Sequence, residues 1–453
     1  MKSLRSLCTL LFGVAVLLFF GFAYPHHLHY QEQYQLFLFD SNYIWEIVRL
    51  PGGVADLLGR FCTQFFLFAW VGALIISVLL SLVQLLVLRL AQWGWLYGLS
   101  FVPSFLLWLF LLDENALLGG VWAVLLTLLA IHCCLLMPQG WVRRIAILVA
   151  IPILYWMVGP SWSGSHYHRY PTATPYLLYV AWLSAVVLPL IVHFCKIQGS
   201  WLKAQGLSFL LVAIALGTVV WNNANFKAEK VMAYDFMACH QQWNRILETI
   251  NTEKPNNQIG VTVQNLALAM HGMLADHLFD YNQNGILGLL PDVQSDATSP
   301  MPTAEAFYQL GMINVAQRTV FEAQEAILDF QKSGRCYKRL AQTNLINGSY
   351  EVARKYLTAL QKTIFYREWA NETLPLLGNE EAITKHPEYG RLRQYAYKED
   401  FYFSDHVTPE MLESLYFSNT DNRLAYEYLR AYYILTGDRD NYAKLLLHTS
   451  TKQ

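Results

Sequence analysis

Two polar stretches in an otherwise apolar N-terminal half carry the side chains suited to chemistry. The first, Pro25–Phe61, holds His26, His27 and His29, then Glu32, Asp40, Glu46, Arg49, Asp56 and Arg60. The second, Pro160–Pro175, sets His166, His168 and Arg169 among Trp162, Tyr167 and Tyr170. A carboxylate at Asp40 or Asp56 is suited to take the proton of an attacking hydroxyl or to hold a divalent cation. Arg49, Arg60 and Arg169 have the forked geometry that matches phosphate oxygens. The expected constellation is Asp40 as the catalytic group, with Arg49, Asp56, Arg60, His166, His168 and Arg169 binding substrate. A plainer reading stands beside it. Asp40-Ser41-Asn42 suits an N-cap for a helix over Tyr43–Leu50, and interfacial Arg and His commonly meet lipid headgroups.

Other chemistries leave no trace. No glycine-rich nucleotide loop, nucleophile elbow or His-Glu-x-x-His metal motif occurs. Five of the 7 cysteines (Cys8, Cys62, Cys133, Cys134 and Cys195) lie in or beside apolar runs, where cysteine is a small filler. Cys239 and Cys336 are either a disulfide or two buried thiols, and no zinc spacing is present. The charge balance of −1 gives nucleic acid no basic surface.

These residues need a membrane frame. The chain of 453 residues is 55% hydrophobic and only 14% charged, whereas a soluble domain carries about 25% charged residues. Seven runs approach the roughly 20 residues a spanning helix needs: Leu7–Tyr24, Phe65–Leu88, Trp95–Leu112, Leu117–Met137, Ile145–Gly159, Tyr176–Phe194 and Ala204–Trp221. None contains Asp, Glu, Lys or Arg. The first reads as an uncleaved anchor. With the N-terminus cytosolic, the inside segments carry Lys2, Arg5, Arg89, Arg143, Arg144, Lys196 and Lys203 and no acid. All six acids of residues 1–222 fall outside, beside Arg49, Arg60 and Arg169. Seven crossings then put residues 223–453 on the far side. In the outer loop 25–61, two short amphipathic helices, Tyr43–Leu50 and Val54–Phe61, are expected at the interface, joined by a turn at Pro51-Gly52-Gly53.

Composition changes after Trp221. Residues 1–222 hold 10 Lys and Arg against 6 Asp and Glu, leaving 22 against 27 of the totals 32 and 33 for residues 223–453. Apolar residues there recur at helical spacing, and strand-like runs are nearly absent. The run Arg335–Lys362, with Gly348, Tyr350, Ala353 and Tyr356, resembles a tetratricopeptide unit. Ala304–Ala326 around Leu310-Gly311 and Ala431–Leu446 around Gly437 resemble two more, without a fixed 34-residue period. The resemblance implies stacked helix pairs and a surface for a peptide or protein partner.

Two longer phrases, Glu32–Phe37 through Pro51–Asp56 and Lys338–Gly348, resemble an uncharacterised integral-membrane family of Bacteroidota-type bacteria. That resemblance spans nearly the whole chain and implies an inner membrane and a periplasm, with no activity attached. In topology the chain is also similar to polytopic glycosyltransferases that use polyprenyl-phosphate-linked sugars, although their paired acidic dipeptide is missing from the first outer loop. The expected architecture is therefore all-α: a bundle of about seven spans (1–222), then a tetratricopeptide-like soluble domain (223–453). Two functions remain open. One is sugar transfer at the periplasmic face; the other is a non-enzymatic membrane anchor for an interaction domain. The expected partners are the bilayer, a lipid-linked sugar and a periplasmic protein or peptide.

Overall fold

The computed structural model describes residues 2–163, 174–194, 202–292, 299–327, 331–397 and 408–450. Among these residues every regular element is helical. Contacts divide the chain into two units, residues 1–229 and 230–453.

The first unit begins with α1 (Lys2–Leu18), α2 (Pro25–Glu32), α3 (Ser41–Val48), α4 (Gly53–Thr63) and α5 (Ala69–Arg89). It continues with α6 (Val102–Phe110), α7 (Gly119–Leu136), α8 (Trp141–Ser163), α9 (Thr174–Phe194), α10 (Leu202–Asn223) and the first turn of α11 (Phe226–Cys239). Among the described residues, six helices are long and apolar enough to cross a membrane: Leu4–Ala23, Ala69–Arg89, Gly119–Leu136, Trp141–Gly159, Tyr176–Phe194 and Lys203–Asn223. The remaining expected span is a shorter helix, Gly94–Phe110. Its first eight residues, Gly94–Phe101, are 3₁₀ and lead directly into α6. Pro103 stands in the first turn of α6, where its missing N–H costs no helix bond. A 3₁₀ turn rises about 2.0 Å per residue, so the combined segment reaches about 30 Å, close to a hydrocarbon core.

The core of this unit is aromatic. Phe12, Phe20, Trp93, Tyr97, Phe101 and Phe105 are buried in it, and Phe12 meets Phe101 and Phe105 edge-on. A polar thread runs through the same region. Thr9 donates to Gln84 Oε1 at 2.9 Å, Gln84 Nε2 to Ser100 Oγ at 3.2 Å, and Arg5 Nε to Gln205 Oε1 at 3.1 Å. Buried in apolar surroundings, these groups must satisfy one another. By contrast α8 and α10 leave large apolar side chains such as Leu148, Ile151, Leu211 and Ile214 exposed, a surface that suits lipid.

The second unit continues α11 and adds α12 (Trp243–Glu253), α13 (Gln258–Met270), α14 (Pro300–Leu310), α15 (Ile313–Ala326), α16 (Gly334–Ile346) and α17 (Tyr350–Leu360). It ends with α18 (Arg367–Thr373), α19 (Glu380–Lys385), α20 (Tyr389–Tyr395), α21 (Thr408–Ser418), α22 (Arg423–Thr436) and α23 (Arg439–Ser450). Three helix pairs close through a glycine with positive φ: Gly311 (+91°) between α14 and α15, Gly348 (+78°) between α16 and α17, and Gly437 (+73°) between α22 and α23. Only glycine adopts that conformation without crowding Cβ. Phe307, Tyr308, Leu345, Ala353, Tyr428 and Leu429 are among the buried residues of its core. Cys239 and Cys336 form no disulfide with each other, and the Cys336 thiol meets Met301 Sδ at 3.5 Å.

Candidate functional site

The two short helices of the outer loop form where the sequence places them. Asp40 is extended (φ −136°, ψ 130°), and its Oδ1 accepts from the N–H groups of Asn42 at 3.0 Å and Tyr43 at 3.1 Å. It is thus the N-cap of α3, answering donors that no carbonyl in the helix can reach. Helix α3 has no buried residue, and Trp45 is 66% exposed. Arg49, at its C-cap, is exposed.

Gly52 turns the chain with φ +84° and donates to the Trp156 carbonyl at 2.7 Å. Trp156 Nε1 in turn donates to the Val48 carbonyl at 2.9 Å, so the corner between α3 and α4 is fastened to α8. Helix α4 is packed rather than floating. A Cβ on Gly59 would come within 2.4 Å of the Gly119 backbone nitrogen, so α4 and α7 touch main chain to main chain. Within α4, Arg60 Nε lies 3.0 Å from both Asp56 oxygens, and Nη2 donates to Oδ2 at 2.8 Å. The pair is mostly shielded from solvent. Asp56 and Tyr43 together hold the Arg60 guanidinium charged against its burial. Asp40, Asp56 and Arg60 therefore all have internal partners. His166, His168 and Arg169 lie outside the described residues.

The histidine run forms α2, which begins at Pro25. Its first N–H groups are capped from far away in sequence. The Glu229 carboxylate accepts from His26 N–H at 2.7 Å (Oε1) and from His27 N–H at 2.8 Å (Oε2). Glu229 is 7% exposed. Burial pushes its carboxyl up to about 7, and the two backbone donors pull the other way. His27 is fully buried, and its ring stacks on Tyr24 at 4.6 Å. Its Nε2 lies 2.9 Å from the Leu111 carbonyl, so the proton sits on Nε2. Nδ1 is buried without a hydrogen-bond partner. Burial lowers the ring to about 4, which keeps it neutral at neutral pH. One turn on, Gln31 Nε2 donates to the carbonyls of Asp113 at 3.3 Å and Ala116 at 3.2 Å. Helix α2 is thus a polar wedge fixed to the turn between α6 and α7. Beside it, burial raises the Glu114 carboxyl, and neighbouring Asp113 adds to the effect.

Sequence reading missed this junction. Glu229 looks like an ordinary first-turn acid of α11, and nothing local links it to a helix two hundred residues earlier. Among the described residues no group of three or more His, Cys, Asp or Glu is placed to hold a metal ion.

Among the described residues, six long apolar helices and a second helical unit define an all-helical, multi-pass membrane protein. The chain belongs to a family of unknown function, DUF6057, whose two matches cover residues 1–163 and 160–453. No curated protein and no solved structure matches it.

Proposed function

We propose that this protein is a multi-pass membrane anchor that presents residues 230–453 as a helical interaction domain on the side away from the cytosol. The observation that carries the reading is where the outer-loop polar groups go. Asp40 caps α3, Asp56 holds Arg60, Glu229 caps α2, and His27 donates to a carbonyl. Each interaction fixes backbone or neutralises a neighbour, as a scaffold needs. The glycine-closed helix pairs of the second unit suit partner binding. The bias of Lys and Arg toward one set of loops supports the orientation. We infer tetratricopeptide-like stacking from those pairs, and an inner membrane with a periplasmic second unit from that orientation.

One observation favours sugar transfer from a polyprenyl phosphate instead. Arg49 is exposed beside an α3 whose Trp45 also faces outward, at the place where a lipid phosphate would lie.

The two readings are separated with the full chain in nanodiscs and a radiolabelled polyprenyl-phosphate sugar. The anchor reading expects no transfer to envelope acceptors by the wild type. In intact cells it also expects one discrete adduct from photo-crosslinkers placed along α14 and α16 of the second unit, unchanged by Asp40→Asn. Transfer that Asp40→Asn abolishes would overturn it, as would the absence of any such adduct.

A further inference from the structure

Helix α8 opens with two arginines, Arg143 and Arg144, just past the turn that follows α7. No Asp or Glu occurs between Glu114 and Glu229, so this stretch of chain offers them no carboxylate. Arg143 folds back onto the end of α7. Its Nη2 donates to the carbonyls of Met137 at 2.6 Å and Leu135 at 2.9 Å, and its Nε donates to Met137 at 3.1 Å. These are carbonyls that a helix end leaves unanswered, and a cation suits that end of the dipole. Arg143 Nη1 has no acceptor among the described residues. Arg144 is exposed and in no ion pair among them. Trp141, the first residue of α8, is 73% exposed, as an indole at a membrane–water boundary would be.

Beside this pair, α7 and α8 leave an apolar groove of about 290 Å³. Ala130, Cys133 and Met137 line it on the α7 side, and Ala146, Ala150 and Met157 on the α8 side. Met137 ties the two features together, since its carbonyl is the one that Arg143 holds twice. From Ala146 to Met157 the groove follows α8 for about 16 Å, at 1.5 Å per residue. That is about half of a 30 Å hydrocarbon core, the depth of one leaflet. Spread over that length, the volume leaves a mean cross-section of about 18 Å². A helix 10 Å across needs about 80 Å², whereas a single extended hydrocarbon chain fits.

We propose that the groove between α7 and α8 binds one anionic phospholipid, with an acyl chain along Ala130–Met137 and Ala146–Met157 and the phosphate on Arg143 Nη1 and Arg144. Length and width select a lipid chain over a second helix, and the unpaired arginines select a negative head. The site rests on the chain's place in a membrane and is independent of what the second unit does.

The test is native mass spectrometry of the full chain in detergent, with dioleoyl phosphatidylglycerol or dioleoyl phosphatidylcholine added at equal concentration. These probes share their chains and differ in head charge. One phosphatidylglycerol per chain should be retained, in clear preference to phosphatidylcholine. Arg144→Gln should weaken its retention about fivefold, the effect of one cation at a membrane surface, and Arg144→Lys should restore it. Ala150→Trp fills the groove with both arginines intact and should abolish retention. If its melting point falls, the smaller filling Ala146→Leu takes its place and should weaken retention. Equal retention of the two lipids, or retention unchanged by both Arg144→Gln and the filled groove, would reduce the site to ordinary surrounding lipid and overturn the proposal. A dimer that the filled groove breaks would overturn it too, because a second copy would then occupy the groove.

Discussion

Replacing Glu229 by glutamine should flatten the pH dependence of stability of the membrane unit. The Glu229 carboxyl is raised to about 7 by burial, from an ordinary 4.5. Between those values the folded chain keeps a proton that the unfolded chain has released. Stability contributed by this group is therefore greatest near pH 4.5 and falls as pH rises through 7. The span corresponds to about 3 kcal/mol, at roughly 1.4 kcal/mol per pH unit. Glutamine does not titrate, but it also offers only one oxygen to the His26 and His27 N–H groups, and its amide nitrogen faces the other donor. Losing one such bond costs about 1–3 kcal/mol. Glu229→Gln should therefore be less stable than wild type at pH 5, with the gap closing or reversing by pH 8. Thermal unfolding in detergent, followed by tryptophan fluorescence at pH 5, 6, 7 and 8, measures this directly. Parallel profiles for the two proteins would refute the reasoning, because they would mean that Glu229 is ionised and solvated throughout.

Two further substitutions test the packing. Gly348→Val forces a β-branched residue to φ +78° in a turn where nothing else lies within 4 Å, so the cost is conformational and about 1–2 kcal/mol; a lowered melting point checks it, and an unchanged one contradicts it. Gly59→Leu drives a side chain into the Gly119 backbone, 2.4 Å from the first added carbon, and should detach α4 from α7. Loss of a cysteine cross-link between Ala55 and Ala123, both buried in one cluster, would report the detachment, and retention of the cross-link would argue against the contact.

The periodic parts of the chain were readable in advance. Charge-free apolar runs located the six long spans, and Pro51-Gly52-Gly53 located the break between α3 and α4, because Gly52 supplies a left-handed turn. Gly348 was legible for the same reason. The Asp40 cap is also local, since a short polar side chain reaches its own next N–H groups. What stayed hidden depends on distant contacts. The Glu229 cap of α2 joins residues 203 apart in sequence, and the Asp235–Arg335 fork joins residues 100 apart. Neither leaves a local pattern. The Gly94–Phe101 segment hid for another reason: 3₁₀ and α residues are equally apolar here.

Parity of the membrane crossings decides where residues 230–453 act. The six long helices among the described residues would by themselves return the chain to the side of its N-terminus, whereas a further crossing by the shorter apolar helix Gly94–Phe110, about 30 Å long, would put residues 230–453 on the opposite side. The most direct test is a reporter active only outside the cytosol, fused in turn after Gln92, after Gly140 and after Gln453. The account predicts silence at Gln92 and Gly140 and activity at Gln453. An inactive fusion at Gln453, with activity at Gly140, would show that Gly94–Phe110 does not cross and would place the second unit in the cytosol.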